Sequence, residues 1–166
     1  MSKTALRKEL QEMTTDQLRA IILDAYDART EFKDYFEFFL NPDVDRLLEK
    51  YRTKIVKEVY RTKWGKSKAR VSVLKKAVKE FIGYRPGPEA VLDMLFLTLH
   101  LLGTAERYID MGSTQIKYIK DLSGQIIEYA DNNQVASIAI ERIGNMLHSG
   151  IYSNYFARVV GESIAR

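Results

Sequence analysis

The amino-acid sequence predicts an all-α fold: an irregular multi-helix bundle or a short stack of helical hairpins, with about eight helices around a buried central helix near 88–109. Apolar residues recur every three or four positions along most of the chain, which is the period of an amphipathic helix. No alternating stretch bounded by hairpin turns indicates strands. The 166 residues are 46% hydrophobic and 29% charged, which is typical of globular proteins and enough to bury one core. We therefore expect a single all-helical domain over 1–166.

Helix-start signals divide the N-terminal part of the chain. The spacing of apolar residues predicts a first helix over 3–13. Thr14 followed three residues later by Gln17 has the pattern of a capping box, so a second helix begins there. Its apolar stripe continues to Leu40, but Arg29 interrupts the stripe and marks a possible break.

Two basic, amphipathic helices follow. Asn41 and Pro42 form a cap and first-turn pair, which predicts the start of a third helix. This helix is expected to end near Trp64 and Gly65. The fourth helix is predicted over 69–82.

The fifth helix is the predicted centre of the fold. Pro88 suits the first turn of a helix, and the segment from 88 to 109 is apolar nearly all round in its first half, as expected of an element surrounded by others. Its most apolar part, from Val91 to Leu102, is twelve residues long. A membrane span needs about 20 apolar residues, so we expect a buried helix and no contact with a membrane.

Three more helices complete the prediction, over 113–131, 134–148 and 153–165. Short loops between sequential helices favour antiparallel neighbours. A tetratricopeptide array would show a period of about 34 residues, and no such period is visible. A repeat array is kept as the alternative fold.

Charge is distributed unevenly along the chain. Residues 50–79, here called the basic segment, contain twelve basic residues and a single acidic one, Glu58, for a net charge of +11, whereas the whole chain carries +4. A local excess of this size attracts polyanions or acidic partners. The residues considered for polyanion binding are Tyr60, Arg61, Lys63, Trp64, Lys66, Lys68, Arg70, Lys75, Lys76 and Lys79.

Two aromatic rings are interleaved with cations at the centre of the basic segment. The cations can neutralise phosphates while a ring such as that of Trp64 stacks on an exposed base, as in single-strand binders. In the alternative, Tyr60 and Trp64 pack into the core and the lysines only solvate two helices. Lysine outnumbers arginine nine to three in the segment, which favours a diffuse charged surface over geometric recognition. The residues alone fit both interpretations.

The tripeptide Gly65-Lys66-Ser67 resembles the end of a phosphate-binding loop. That motif requires another glycine five residues before Gly65, where Tyr60 stands, and a preceding strand, where a helix is predicted. We therefore expect no nucleotide site here.

Other titratable residues show no catalytic or metal-binding spacing. Four carboxylates at helical spacing suit a hard cation but equally form the solvated face of an amphipathic helix; they are Asp24, Asp27, Glu31 and Asp34. His100 and His148 are the two histidines and lack nearby partners at ligand spacing. We expect no metal and no cofactor, and an enzyme such as a hydrolase has no supporting motif.

The leading functional prediction is a non-enzymatic interaction or scaffold module that binds a protein partner, or a second copy of itself, through grooves between helices. Tyr152, Tyr155 and Phe156 are possible anchors, because aromatic residues are enriched in interface cores, although core packing explains them equally well. Nucleic-acid binding through the basic segment is the alternative. The absence of cysteine and of an export signal favours the cytoplasm.

Several short segments in the first two thirds of the chain carry a resemblance to a known family. They are Ser2-Lys3-Thr4, the run from Gln17 to Asp24, Tyr26-Asp27, the aromatic run from Tyr35 to Pro42, and Lys68-Ala69-Arg70. The sequence resembles a family of small bacterial helical proteins known only as a domain of unknown function. The resemblance implies an all-helical fold and a bacterial, cytoplasmic origin, and it implies no reaction, cofactor or site residue.

Overall fold

The all-α prediction is confirmed by a computed structural model that describes residues 1–164. The described part contains nine helices and one short β-hairpin. The helices are α1 (Lys3–Gln11), α2 (Thr15–Ala28), α3 (Thr30–Leu40), α4 (Val44–Val59), α5 (Val71–Gly83), α6 (Pro88–Glu106), α7 (Ser113–Asn132), α8 (Ala136–His148) and α9 (Asn154–Ile164), and the strands are β1 (Thr62–Lys63) and β2 (Lys66–Ser67). The predicted end of the last helix at Ala165 lies outside the described residues.

The chain divides into two compact units, the first of which is Met1–Pro42. In this unit the predicted capping box is present, since the Thr14 side chain accepts from the Gln17 amide and the Gln17 side chain accepts from the Thr14 amide. Arg29 is extended (φ −141°, ψ 119°) and separates α2 from α3, so the predicted break is real. No residue of α1, α2 or α3 is buried. The unit therefore has amphipathic helices but no core of its own.

The second unit begins at Asp43 and contains the core. Its centre is α6, which packs against α4, α5 and α7. Eleven of the 19 residues of α6 are buried, as its apolar sequence predicts. In the described part of the chain α6 is the one helix long and apolar enough to cross a membrane, and 61% of its apolar 18-residue stretch is buried inside the protein. A core helix has the same properties.

The start of α4 differs from the prediction. The Asp43 carboxylate, rather than Asn41, caps this helix by accepting a hydrogen bond of 2.9 Å from the Arg46 amide. Asp43 is a strong N-cap residue, and it lies after the proline instead of before it. Pro88, in contrast, occupies the first turn of α6 as predicted.

The C-terminal helices close the core over α6 and α7. α9 packs against α7, and Phe156 on α9 is 1% exposed. Gly103 on α6 permits this approach: a Cβ atom added there would lie 2.6 Å from Cζ of Phe156 and 2.7 Å from Cδ1 of Tyr152. A side chain at position 103 would therefore overlap both rings.

Candidate functional site

The centre of the basic segment is a β-hairpin rather than a helix end and loop. α4 ends at Val59, five residues before the predicted end at Trp64. The chain then forms β1 and β2, which pair antiparallel with Thr62 opposite Ser67 and Lys63 opposite Lys66. The prediction of no strands is wrong for these few residues. We call residues 61–68 the basic hairpin.

The turn of the basic hairpin holds a tryptophan in an unusual backbone conformation. Both central residues have positive φ, 55° for Trp64 and 73° for Gly65, as in the type I′ turns that suit two-residue hairpins. Glycine adopts this region freely, whereas a residue with a side chain pays a cost of about 1–2 kcal/mol. The Trp64 side chain is 90% exposed. This ring lies at the tip of the hairpin, so of the two interpretations of the sequence the one in which Trp64 packs into the core is wrong.

Four cations lie on one face of the basic hairpin. Residues opposite each other in an antiparallel pair project to the same side, so Lys63 and Lys66 are neighbours. A hydrogen bond of 2.7 Å from the Lys68 amide to the Arg61 carbonyl continues the ladder. Arg61 and Lys68 are each two residues from that pair and share its face. The hydroxyl residues Thr62 and Ser67 occupy the opposite face.

Backbone hydrogen bonds attach the hairpin to the loop after α6. The Ser67 amide donates to the Asp110 carbonyl at 2.9 Å, and the Asp110 amide donates to the Gly65 carbonyl at 3.1 Å. At the base of the hairpin, the hydroxyls of Tyr60 and Thr104 are 3.0 Å apart. These contacts order the backbone on both sides of the turn, so the exposed ring projects from a fixed position.

Arg70 is held in an ion pair with Glu58. Its Nε and a terminal guanidinium nitrogen donate to the two oxygens of Glu58, each at 2.9 Å, and its amide donates to Glu58 Oε1 at 2.7 Å. Glu58 is buried, and the hydrogen bonds from the Arg70 side chain lower its pKa to about 2 in spite of the burial. A terminal nitrogen of Arg61 lies 3.7 Å from the same carboxylate. Glu58 thus neutralises Arg70 and part of the charge of Arg61.

The remaining predicted cations lie on α5. Nζ of Lys75 is 3.5 Å from a carboxylate oxygen of Asp121, and Nζ of Lys76 is 3.6 Å from one of Glu80. Lys79 is exposed on the same helix. Of the ten residues predicted for polyanion binding, the structure brings Trp64 and four cations together on the hairpin and leaves the three lysines of α5 outside it.

The weaker sequence motifs do not form sites. Gly65, Lys66 and Ser67 lie in the turn and second strand of the hairpin, not between a strand and a helix as a phosphate loop requires. The break at Arg29 places two of the four spaced carboxylates on α2 and two on α3. Among the described residues there is no group of His, Cys, Asp and Glu that suits a metal ion. His148 contacts the Gly144 carbonyl of its own helix at 2.7 Å.

A second candidate site is an open groove between α4, α6 and α8. It has a volume of about 580 Å³, and its floor is a stripe of α6. Nδ1 of His100 in this stripe is 2.7 Å from the Tyr152 hydroxyl, and burial raises the pKa of Tyr152. The groove has a mixed lining. Its apolar residues are Leu48, Phe96, Leu97, Met146 and Ile151, and its charged residues are Asp45, Glu49, Arg52, Asp93 and Arg142. Of the predicted aromatic anchors, Phe156 lies in the core instead, while Tyr155 is 42% exposed.

One sequence signal would have revealed the hairpin. From Arg61 to Lys68, basic residues alternate with hydroxyl residues on each side of Trp64-Gly65, and a glycine in the second position of a two-residue turn is a hairpin signal. The strands are only two residues long, so the alternation is short. The groove leaves no such local signal, because its walls come from α4 and α8, which are distant in sequence.

Comparison with known proteins identifies a family. A family model described as a family of unknown function, DUF6155, matches residues 1–165. This match covers almost the whole chain, including the part after Met111 that the sequence resemblance did not reach. No curated protein and no solved structure matches the chain. The chain therefore belongs to DUF6155, a family of unknown function.

Proposed function

We propose that this protein binds single-stranded nucleic acid through the basic hairpin. Trp64 would stack on an unpaired base, and the four cations of the face would contact phosphates. The observation that carries the proposal is the 90% exposure of Trp64 at the tip of a turn whose backbone is strained at that residue. A large aromatic ring gains nothing for folding in this position, while Asn would fit the turn better.

The arrangement of the lysines supports an anionic ligand. Lys63 and Lys66 are directly opposite each other, and like charges in such a pair destabilise a hairpin. The ion pairs of the described residues include none for Lys63, Lys66 or Lys68. A bound phosphate would offset this repulsion.

The combination of ring and cations favours a single strand over other polyanions. A duplex keeps its bases stacked, whereas an unpaired base offers its face to an aromatic side chain, and such stacking contributes about 1–3 kcal/mol per base. An acidic protein surface would use the lysines but not the tip of the indole ring.

Trp64 provides a direct test because it is the only tryptophan of the chain. Titration with single-stranded oligonucleotides of about 20 residues should quench its fluorescence. If four phosphates are contacted, the affinity should fall roughly 50-fold between about 50 and 200 mM salt, since each phosphate adds about 0.7 to the slope for single strands. Tighter binding to duplex DNA, or binding only to anionic phospholipid vesicles, would contradict the proposal.

Charge reversal separates this site from general basic charge. Lys63→Glu with Lys66→Glu should reduce the affinity at least tenfold, because it replaces two phosphate contacts with repulsion. The matched control is Lys117→Glu with Lys120→Glu, which changes the net charge equally on the exposed face of α7 and should have a much smaller effect. Equal losses for the two double variants would mean that no local site exists.

The groove between α4, α6 and α8 favours a second candidate function, the docking of a helix from a protein partner. Its floor residues on α6, Asp93, Phe96, Leu97 and His100, recur at the spacing with which a helix presents one stripe. A groove with helical walls and apolar side chains among charged ones can accept another amphipathic helix. A second copy of this chain would be a partner of the same kind.

Substitutions on the rim of the groove test this second candidate. Ile151 is 47% exposed and lines the groove, whereas Ile140 is 64% exposed on α8 and does not. Ile151→Glu should abolish self-association, measured by light scattering, or the binding of a partner that is isolated with the wild-type protein. The control variant Ile140→Glu should leave both unchanged. A wild-type protein that is monomeric and retains no partner would leave the groove without this function.

A further inference from the structure

We infer that the cleft beside the basic hairpin, between the end of α6 and the start of α9, binds a second unpaired nucleobase of the strand stacked on Trp64. This inference rests on the proposed function and assigns it an additional subsite. The cleft has a volume of about 470 Å³ and is lined by two aromatic side chains, Tyr108 and Tyr155, together with Arg107 and the acidic residues Glu106 and Asp110. It is a concave surface of a size that suits a small planar ligand.

Tyr108 has the properties of a stacking platform. Its side chain is 79% exposed, so it contributes little to the core. The Arg107 guanidinium carbon lies 5.9 Å from the centre of the Tyr108 ring, and the guanidinium also donates to the Ile151 carbonyl. An exposed ring beside a cation is the pairing that single-strand binders use for a base and its phosphate.

The backbone connects this platform to the hairpin. Asp110 is two residues after Tyr108 and forms an isolated bridge with Lys66 of β2. Two residues of chain span at most about 7 Å. The Cα atom of Tyr108 is therefore close to the turn that carries Trp64, within the reach of neighbouring nucleotides of one extended strand, and Lys66 lies between the two rings along the chain path.

The two stacking rings, Trp64 and Tyr108, predict how the affinity for a single strand depends on the length of that strand. A strand that reaches Trp64 alone gains one stacking contact, and a longer strand gains a second one at Tyr108. Base pairing would prevent both bases from entering, so the subsite adds to the preference for single strands. A platform that did not bind a base would leave affinity independent of the Tyr108 ring.

The test measures Tyr108→Ala and Tyr108→Phe by the fluorescence of Trp64. With oligonucleotides of about 10 residues, Tyr108→Ala should weaken binding roughly tenfold, and Tyr108→Phe, which keeps the ring, should bind like the wild type. With a mononucleotide, whose single base occupies Trp64 alone, all three proteins should bind equally. Circular dichroism should show the same helical content for the three proteins because residue 108 is exposed.

The outcomes separate the subsite from the proposed function. Quenching of Trp64 with equal affinity for Tyr108→Ala and the wild type at every length overturns the subsite but leaves the hairpin as the binding site. Absence of quenching in the wild type overturns both. Equal weakening by Tyr108→Ala and Tyr108→Phe also overturns the subsite, because it would assign the effect to the hydroxyl rather than to stacking.

Discussion

Glu58 is the residue whose charge most affects the structure around the basic hairpin. It is buried on α4 and accepts three hydrogen bonds from Arg70, the residue that precedes α5. A carboxylate held in this way joins two elements on either side of the hairpin. Removing its charge leaves donors of Arg70 without their acceptor, and hydrogen bonds to charged groups contribute about 1.5–3 kcal/mol.

Glu58→Gln should lower the free energy of unfolding by about 2 kcal/mol at neutral pH. The pKa of Glu58 is lowered from 4.5 to about 2 in the folded protein, so its stabilising contribution is complete above about pH 4.5 and is lost as the pH falls towards 2. Urea unfolding at a series of pH values should show the difference between wild type and variant shrinking over that window. Glu49→Gln, on the exposed face of α4, should have little effect, and a pH-independent difference for Glu58→Gln would contradict the assignment.

The close packing around Gly103 leads to a second prediction at the scale of a residue, about the stability of the protein. Gly103→Ala should destabilise the protein by about 2 kcal/mol, because the new methyl group overlaps the rings of Phe156 and Tyr152 in a packed core. Gly124 on α7 is the matched control, since a Cβ atom there meets nothing within 4 Å. Gly124→Ala should instead stabilise by up to about 1 kcal/mol through helix propensity. Thermal unfolding should show a lower melting temperature for Gly103→Ala and a higher one for Gly124→Ala. Stabilisation by Gly103→Ala would contradict the close contact of Gly103 with Phe156 and Tyr152.

At the scale of the element, stability of the hairpin turn and nucleic-acid binding favour different residues at position 64. Trp64 has positive φ, which Asn adopts more readily than Trp. Trp64→Asn should therefore raise the free energy of unfolding by about 0.5–1 kcal/mol, as measured by chemical denaturation. The same variant should lose nucleic-acid binding, as measured by fluorescence anisotropy of a labelled oligonucleotide. Gly65→Ala, at φ 73°, should destabilise. A destabilising Trp64→Asn would show that the indole ring supports the fold.

At the scale of the whole molecule, the two units differ in what stabilises them. The buried residues of the described helices lie in α4 to α9, and none lies in α1 to α3. Amphipathic helices without a packing surface are marginal in water. The second unit, which is packed around the apolar helix α6, has the buried core that the first unit lacks.

We therefore expect residues 43–166 to fold cooperatively when produced alone. A peptide of residues 1–42 should be mostly unfolded in isolation, because its helices bury no apolar face within the unit. Circular dichroism and thermal unfolding of the two fragments check the prediction. A cooperative transition of the peptide, or a molten fragment 43–166, would contradict it.

The sequence by itself determined the helices and the central position of α6, because the apolar period, the caps and the prolines are local properties of the chain. It also located the excess of positive charge and the break at Arg29. Tertiary structure decided the candidate site: the turn that exposes Trp64 is hydrogen-bonded to the backbone of Asp110, far away in sequence, and the buried Glu58 holds Arg70 in an ion pair. Contacts between distant segments leave no periodic pattern in the sequence, so the groove and the attachment of the hairpin to Asp110 were visible only once the helices were packed.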